Sequence, residues 1–493
     1  MSDRLQIDLL MRQATAARDA GALTEADALC RRILDVEPIH EPALKLRFAI
    51  AHQQKRFHDA LSLLDEAARA DPDNVSWWIG RAWVLASLGR QEDAVMAYDR
   101  AIALSPLEHE YHRGRALALT AINRLPDALA SCDTAIALRP DAAEGHLVRG
   151  HALRRSHRYD EALTAFDRAI ELEPESGDAW YSKALLLLLM GRYEEGWALH
   201  EWRWFAANFP QSEHLFPQPI WDGTPLNGRT LLIWAEQGLG DSIQFYRFVN
   251  EVRRMGTVAL LVSPRLAKLF AAQPGAPLIA IGAADLPRFD LHCPLLSLPY
   301  LLESELETIP GAPYLLAEPD LIEVWRTRLP AATGQPRIGI VWAGNSKNAD
   351  DFNRSMTLKT MLSMIDTDAM IISLQMNVPD SERDTLRGAR NILDLSEDQE
   401  SFADTAAVIS HLDLVISVDT AVAHLAGALG ANVWIVLSAA ADWRWLIGRD
   451  DSPWYPTARL FRQDRPGDWS GVVTQIRAAL KTIAVLKPSE VRA

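Results

Sequence analysis

Residues 89–106 read GRQEDAVMAYDRAIALSP and residues 157–174 read HRYDEALTAFDRAIELEP, the same sentence written twice. The copies lie 68 positions apart, twice 34, and the frame they define runs outward in both directions. Proline closes each unit at Pro38, Pro72, Pro106, Pro140 and Pro174. Twelve residues before each proline stands an alanine: Ala26, Ala60, Ala94, Ala128 and Ala162. Eight residues before each comes Cys30, Leu64, Tyr98, Cys132 or Phe166, positions expected to fill the seam between neighbouring units. A fixed period of this length is the signature of stacked repeats, each burying its apolar face against the next.

The first helix expected in each unit carries a small residue at Ala14, Ala82, Ala116, Gly150 and Ala184, with Phe48 the exception. Gly21, Gly89, Asn123 and Gly191 suit the left-handed conformation that ends such a helix, whereas Lys55 and His157 suit it less well. These positions resemble the tetratricopeptide repeat (TPR) family, which implies an α-solenoid of helical hairpins over residues 1–204: five repeats and a partial sixth. The sixth starts at Trp180 and reaches MGRYEEGWALHEWRW, with Gly196 in place of the alanine and no closing proline. Such a stack presents a concave groove to a peptide or protein. Lys45, Arg113, His151, Arg154 and Arg155 are expected to face it, either as a mildly basic lining for an acidic segment or as solvated surface charge.

The bulk composition narrows the function. A chain of 493 residues with 48% hydrophobic and 23% charged residues has material for two or three cores. A net charge of −15 and the lack of any Lys/Arg block weigh against a nucleic-acid or anionic-membrane partner. The N-terminus has no apolar core of a leader, and no stretch approaches a membrane span, so a cytoplasmic protein is expected. Three scattered cysteines, Cys30, Cys132 and Cys293, form neither a disulfide framework nor a zinc site.

At residues 205–228 the helical period stops in a Pro-, Asn-, Gly- and aromatic-rich stretch that reads as a linker. From Thr230 the rhythm is strand, Gly-rich turn, helix: TLLIW, AEQGLGD, a helix to about Arg254, VALLV. A second such run begins at RIGIVWAGN and passes through MIISLQ, a helix near 401–411, LDLVISV, a helix from Thr420 to Leu429, and NVWIVL. The alternation predicts two Rossmann-like α/β domains at 229–317 and 337–493, the latter ending in a helix, joined by a connector at 318–336. Ligands bind such sheets at the carboxyl ends of the strands.

Three loops at strand ends carry candidate chemistry. Gly238-Leu239-Gly240-Asp241 opens a helix, so Asp241 either faces a ligand or caps the helix. Asp419 and Thr420 stand where a strand gives way to a helix whose free N–H groups suit a diphosphate, with His424 one turn on, functional or structural. Asn345, Ser346, Lys347, Arg354 and Ser355 concentrate donors and cations after another strand, for phosphate or for solvent.

These loops, with DLHCPLLSLP (290–299) and DWRWLIGRDDSPWYP (442–456), resemble glycosyltransferase family 9, and within it the bacterial TPR-glycosyltransferase fusions, over roughly 221–480. The resemblance implies a GT-B fold, its first domain on the acceptor side and its second binding a nucleotide-sugar, with no metal or other cofactor required. It implies Asp241 as the base that deprotonates an acceptor hydroxyl for inverting transfer. Gly238, Gly240, Asn345, Ser346, Asp419, Thr420 and His424 would then serve the donor, with Lys347 or Arg354 as the cation and Gln375 as a nucleoside contact. Asp350 and Asp351 interrupt a stretch that is more basic in similar proteins. The expected acceptor is Ser or Thr of a protein held by the TPR groove, with flagellin a candidate. A lipid or polysaccharide acceptor, or a TPR scaffold carrying an inactive transferase, are the alternatives.

Overall fold

The structure is a computed structural model describing residues 2–207, 209, 216–236, 238–282, 284, 286–331, 334–345, 351–389 and 392–483. The chain forms two compact units, Met1–Ala179 and Trp180–Ala493.

The first unit is built from antiparallel helical pairs: α1 (Ser2–Asp19) with α2 (Leu23–Val36), α3 (Glu41–Gln53) with α4 (Phe57–Ala70), α5 (Val75–Ser87) with α6 (Gln91–Leu104), α7 (His109–Ala121) with α8 (Leu125–Leu138), and α9 (Ala143–Arg155) with α10 (Tyr159–Leu172). Every second helix stops two residues before its proline, because the residue preceding proline is driven out of the α region. Ala26, Ala60, Ala94, Ala128 and Ala162 are wholly buried, and Cys30, Leu64, Tyr98, Cys132 and Phe166 are buried beside them. Burial pushes the Cys30 and Cys132 thiols up to about 11 and about 12.

The turns hold at all six positions. Lys55, Asn123 and His157 take positive φ like Gly21, Gly89 and Gly191, and the His157 ring is tied to the Tyr159 hydroxyl at 2.7 Å. An ion-pair ladder also repeats with the period: Arg81 to Asp65, Arg115 to Asp99 and Arg149 to Asp133, at 2.6, 2.6 and 2.9 Å.

The repeat pattern continues through α11 (Gly177–Leu189) and α12 (Tyr193–His200). Gly196 replaces the alanine because a Cβ there would stand 2.6 Å from Leu188 Cδ2. From Trp180 onward this hairpin belongs to the second unit, so the compact boundary lies earlier than residue 204. The reason is aromatic packing. Trp197 stands edge-on to Trp443 at 5.3 Å and to Phe245 at 6.0 Å, and the Trp454 indole donates to the Tyr193 hydroxyl at 3.0 Å.

The first α/β half of this unit comprises β1 (Thr230–Trp234), α13 (Leu239–Arg253), β2 (Thr257–Leu261), α14 (Pro264–Ala271), β3 (Leu278–Ala280), β4 (Leu291–Pro294) and the short α15 (Leu298–Leu301). Its sheet is parallel, in the order β3-β2-β1-β4. The expected linker is in part sheet edge: Ile220 bridges to His292 of β4, and Trp221 and Leu226 are buried. The expected connector contains α16 (Pro319–Arg328), whose Trp325 indole donates to Asp404 at 3.3 Å.

The second half contains β5 (Arg337–Val341), α17 (Asp351–Arg354), α18 (Leu358–Met364), β6 (Met370–Ser373), α19 (Arg383–Gly388), β7 (Ile392–Asp394), α20 (Phe402–Ile409), β8 (Leu414–Val418), α21 (Ala421–Ala428), β9 (Val433–Leu437), β10 (Ala458–Arg462) and α22 (Ser470–Ile483). Its six parallel strands run β7-β6-β5-β8-β9-β10. Counted within the half, that order is 3-2-1-4-5-6, the doubly wound order of dinucleotide-binding sheets. β8 and β9 are buried along their whole length, as a sheet covered on both faces requires. The strand order reverses between β5 and β8, the point beyond whose carboxyl ends sheets of this topology bind their ligands.

Candidate functional site

Asp241 sits at the third position of α13, and its Oδ2 accepts the Gly238 N–H at 2.8 Å, closing the helix start. The cap is only half of its role. Oδ1 accepts from the Arg444 guanidinium at 2.5 Å, across 203 residues of sequence. Burial pushes the Asp241 carboxyl above its usual range, against the pull of Arg444 and with the push of Asp442. Gly240 sits close against the other sheet's half. A Cβ there would stand 3.0 Å from the His424 ring, so the glycine lets this loop lie directly on the start of α21.

At the end of β8, Asp419 and Thr420 precede α21, and the Thr420 hydroxyl lies 3.0 Å from that of Ser417. His424 is buried. Its Nδ1 is 2.9 Å from the Tyr455 hydroxyl, its Nε2 is 3.7 Å from Asp419, and its ring stacks on Trp445 at 5.2 Å. Burial holds His424 well below the usual imidazole range, with Arg444 and Arg247 adding to the effect, so the ring is neutral at pH 7. Asp419 is pushed up to about 6 by burial, and Asp442 pushes the same way. The end of β8 and the start of α13 thus bring a neutral imidazole and two carboxylates to the first turn of a helix, whose N–H groups have no intrahelical acceptor.

After β5 the chain passes Gly344, whose N–H donates to the Ser355 hydroxyl at 2.9 Å. Asp351 accepts from both Arg354 Nε at 3.0 Å and the Ser355 hydroxyl at 2.9 Å. Asp351 is therefore the buried anchor that holds Arg354 at the strand end, where sequence alone reads it as an acidic intrusion. Asn345 is exposed on the same loop, while Ser346, Lys347 and Asp350 lie outside the described residues.

Gln375 is a correction. Its Oε1 accepts the Trp342 and Ala343 N–H groups, both at 3.1 Å, and its Nε2 donates to the carbonyls of Ala343 and Asn377 at 2.9 and 3.1 Å. Both donors and both acceptor sites of the amide are spent on backbone, so Gln375 clips the ends of β5 and β6 and has nothing left for a nucleoside.

The residues expected to line the repeat groove have partners within the solenoid. Lys45 pairs with Glu41 at 2.6 Å and Arg113 with Glu110 at 2.5 Å. Arg155 donates to the Thr120 carbonyl and the Asn123 side chain at 3.0 and 3.2 Å. His151 packs on Phe166 with ring centroids 5.4 Å apart, and burial with the nearby Arg154 and Arg155 lowers it to about 3. Lys45 and Arg113 are thus paired with acidic neighbours, Arg155 is tied to the preceding hairpin, and His151 packs on an aromatic ring.

Arg444 and Asp442 are the site residues that motif reading missed. The signal was an arginine set between tryptophans in DWRW. Among the described residues, no group of three His, Cys, Asp or Glu side chains could hold a metal, and no helix is long and apolar enough to cross a membrane.

The tetratricopeptide repeat family matches residues 50–106, 92–143 and 147–202. The helical part of the chain is a TPR solenoid. Protein FlbA of Caulobacter vibrioides is 25% identical over 335 residues, covering 62% of this chain and 55% of FlbA. The chain thus spans about half the length of the curated relative it matches. The last repeat helix ends at His200, so a match of that extent runs on into the α/β half. Among solved structures, a TPR protein from Parabacteroides merdae is 20% identical, covering 40% of this chain and 78% of its own, with a TM-score of 0.37. YrrB, a TPR protein with an unusual peptide-binding site, is 20% identical over 36% of this chain and 91% of its own, with a TM-score of 0.32.

Proposed function

We propose that the α/β half is an inverting, metal-independent glycosyltransferase of GT-B type, similar to family 9. It passes a sugar from a nucleotide donor to a Ser or Thr hydroxyl of a protein recruited by the TPR solenoid, with flagellin a candidate acceptor. The observation that carries this reading is the contact of Gly240 with His424. It puts the Asp241 loop of one sheet beside the start of α21, at the carboxyl end of β8 in the other. In the reaction the acceptor oxygen forms a bond to the anomeric carbon while the bond from that carbon to the diphosphate breaks. Asp241 takes the hydroxyl proton, and its raised proton affinity suits that task. The departing diphosphate gains negative charge, which the N–H groups at the start of α21 and the Arg354 guanidinium would stabilise.

A second reading, a TPR scaffold with an inactive transferase half, draws on one observation. Both Asp241 oxygens are engaged within the protein, as a purely structural cap would be. Intact-mass measurement of proteins co-expressed with this chain separates the two. A sugar-sized increment is expected with the wild type and not with Asp241→Ala, while thermal-shift titration with UDP, GDP, ADP and CMP sugars shows both proteins stabilised by the same donor. No stabilisation by any nucleotide sugar would remove the enzyme reading, and an unchanged increment with Asp241→Ala would remove Asp241 as the base.

A further inference from the structure

We propose that Arg444 is the positioning residue for Asp241: reaching from the second α/β half, its guanidinium fixes where the carboxylate of the first half points when an acceptor hydroxyl arrives. What Asp241 does rests on the transferase reading above, whereas what Arg444 does rests on geometry.

The guanidinium divides its donors among three acceptors. Nε donates to Gln244 Oε1 at 2.6 Å, one terminal nitrogen to Asp442 at 2.8 Å, and the other to Asp241 at 2.5 Å. Gln244 stands one turn after Asp241 on α13, so two bonds from one rigid fork grip the same helix. The fork is itself immobilised. It lies 4.3 Å from the Trp443 ring centroid, and Trp443 packs edge-on against Trp197 of α12. With the other Asp241 oxygen bonded to the Gly238 N–H, the carboxylate cannot rotate, and each oxygen keeps one lone pair for a substrate proton. The base and its orienter therefore come from opposite halves of the unit, and the base is aimed only while those halves are in contact.

The charged groups acting on Asp241 are Arg444 and Asp442 on the 442–445 turn, and the neutral His424 of the facing helix lies against the neighbouring Gly240. Burial and Asp442 favour the protonated carboxyl, and Arg444 opposes both. Loss of the guanidinium should leave Asp241 protonated at higher pH, whereas a purely structural role for Arg444 would leave that titration where it is.

The test is a carbon-13 NMR titration of aspartate carboxyls in the full chain, with the Asp241 signal identified by its loss in Asp241→Asn. Arg444→Gln is expected to raise the Asp241 midpoint by about 1–3 pH units, the effect of losing an opposite charge at contact distance. Arg444→Lys, which keeps the charge without the fork, is expected to raise it by less, and both variants should lose most of the sugar increment on co-expressed protein. A midpoint unmoved in Arg444→Gln overturns the proposal whatever happens to transfer. Should that variant fail to fold, Arg444→Lys decides: a wild-type midpoint with a wild-type sugar increment overturns it equally. If the wild type adds no sugar at all, the transferase reading falls, and the titration still decides whether Arg444 sets the state of Asp241.

Discussion

Gly344 lies directly under the polar ends of two side chains. A Cβ there would come within 2.2 Å of Asp351 Oδ1 and 2.8 Å of Arg354 Nε, so the bare backbone lets the Asp351–Arg354 pair fold over the end of β5. Gly344→Ala is expected to push Arg354 out of place and cost about 1–3 kcal/mol of stability, the usual penalty of overpacking. Thermal melting with and without the donor that stabilises the wild type checks it: a lower melting point and a smaller donor-induced shift are expected, and an unchanged shift would take Arg354 out of the donor site. At this scale the sequence is legible where a motif is local. Gly240, Asp241, Asp419, Thr420 and His424 each stand at the end of a strand, and the fold brings them together. It is illegible where a role depends on a partner far along the chain or on saturation by backbone. Nothing in SKNADDFNRS says that Asp351 turns inward, nothing in MIISLQ says that Gln375 is spent, and the Arg444–Asp241 pair is invisible without the fold.

Within the elements, the seam residues choose their neighbours by size. A Cβ on Gly114 of α7 would meet the Tyr98 ring at 2.4 Å, and one on Gly150 of α9 the Phe166 ring at 2.4 Å. Gly114→Ala is expected to lower stability by about 1–3 kcal/mol despite alanine's better helix propensity, because Tyr98 has to leave the seam. Urea unfolding would show it as a lower midpoint with an unchanged slope, and a higher midpoint would mean that Tyr98 yields freely. His151 adds a pH dependence. Its folded pKa of about 3 lies below the ordinary imidazole value of 6.5, so the unfolded chain takes up the proton first. Its contribution to stability is whole above the unfolded value and lost as pH falls from there toward the folded one. His151→Gln is expected to lose less stability than the wild type between about pH 7 and about pH 5 in urea unfolding. Equal losses would mean that His151 is solvated and titrates normally. Helix lengths and turns were readable because each position recurs 34 residues on. The left-handed turns at Lys55 and His157 were readable only from that register, since neither residue type asks for positive φ.

Across the molecule, the boundary between units is where residue pattern and physical core part company. The repeat pattern runs to MGRYEEGWALHEWRW, so the sequence assigns this segment to the solenoid, and the alternation of strands begins only at Thr230. Packing assigns it to the second unit. Arg203 is wholly buried, donating to Glu236 at 2.7 Å and to the Ser297 hydroxyl at 2.8 Å. Glu236 precedes the Asp241 loop by two residues, and its side chain is 1% exposed. Burial lifts its carboxyl to about 7 even with Arg203 in contact. A fragment starting at Trp180 keeps this pair and keeps Tyr193 and Trp197 on Trp454, Trp443 and Phe245. A fragment starting at residue 216 keeps neither. Removing one partner of a buried ion pair costs about 3–5 kcal/mol, a large share of the roughly 5–15 kcal/mol that holds a domain folded. The 180–493 fragment is therefore expected to unfold in one cooperative transition, and the 216–493 fragment to be insoluble or to melt without one. Arg203→Met within 180–493 separates the ion pair from the aromatic contacts: a fall of about 3–5 kcal/mol in urea unfolding is expected. Stability unchanged by Arg203→Met, together with a well-folded 216–493, would return the boundary to the point where the repeat pattern ends.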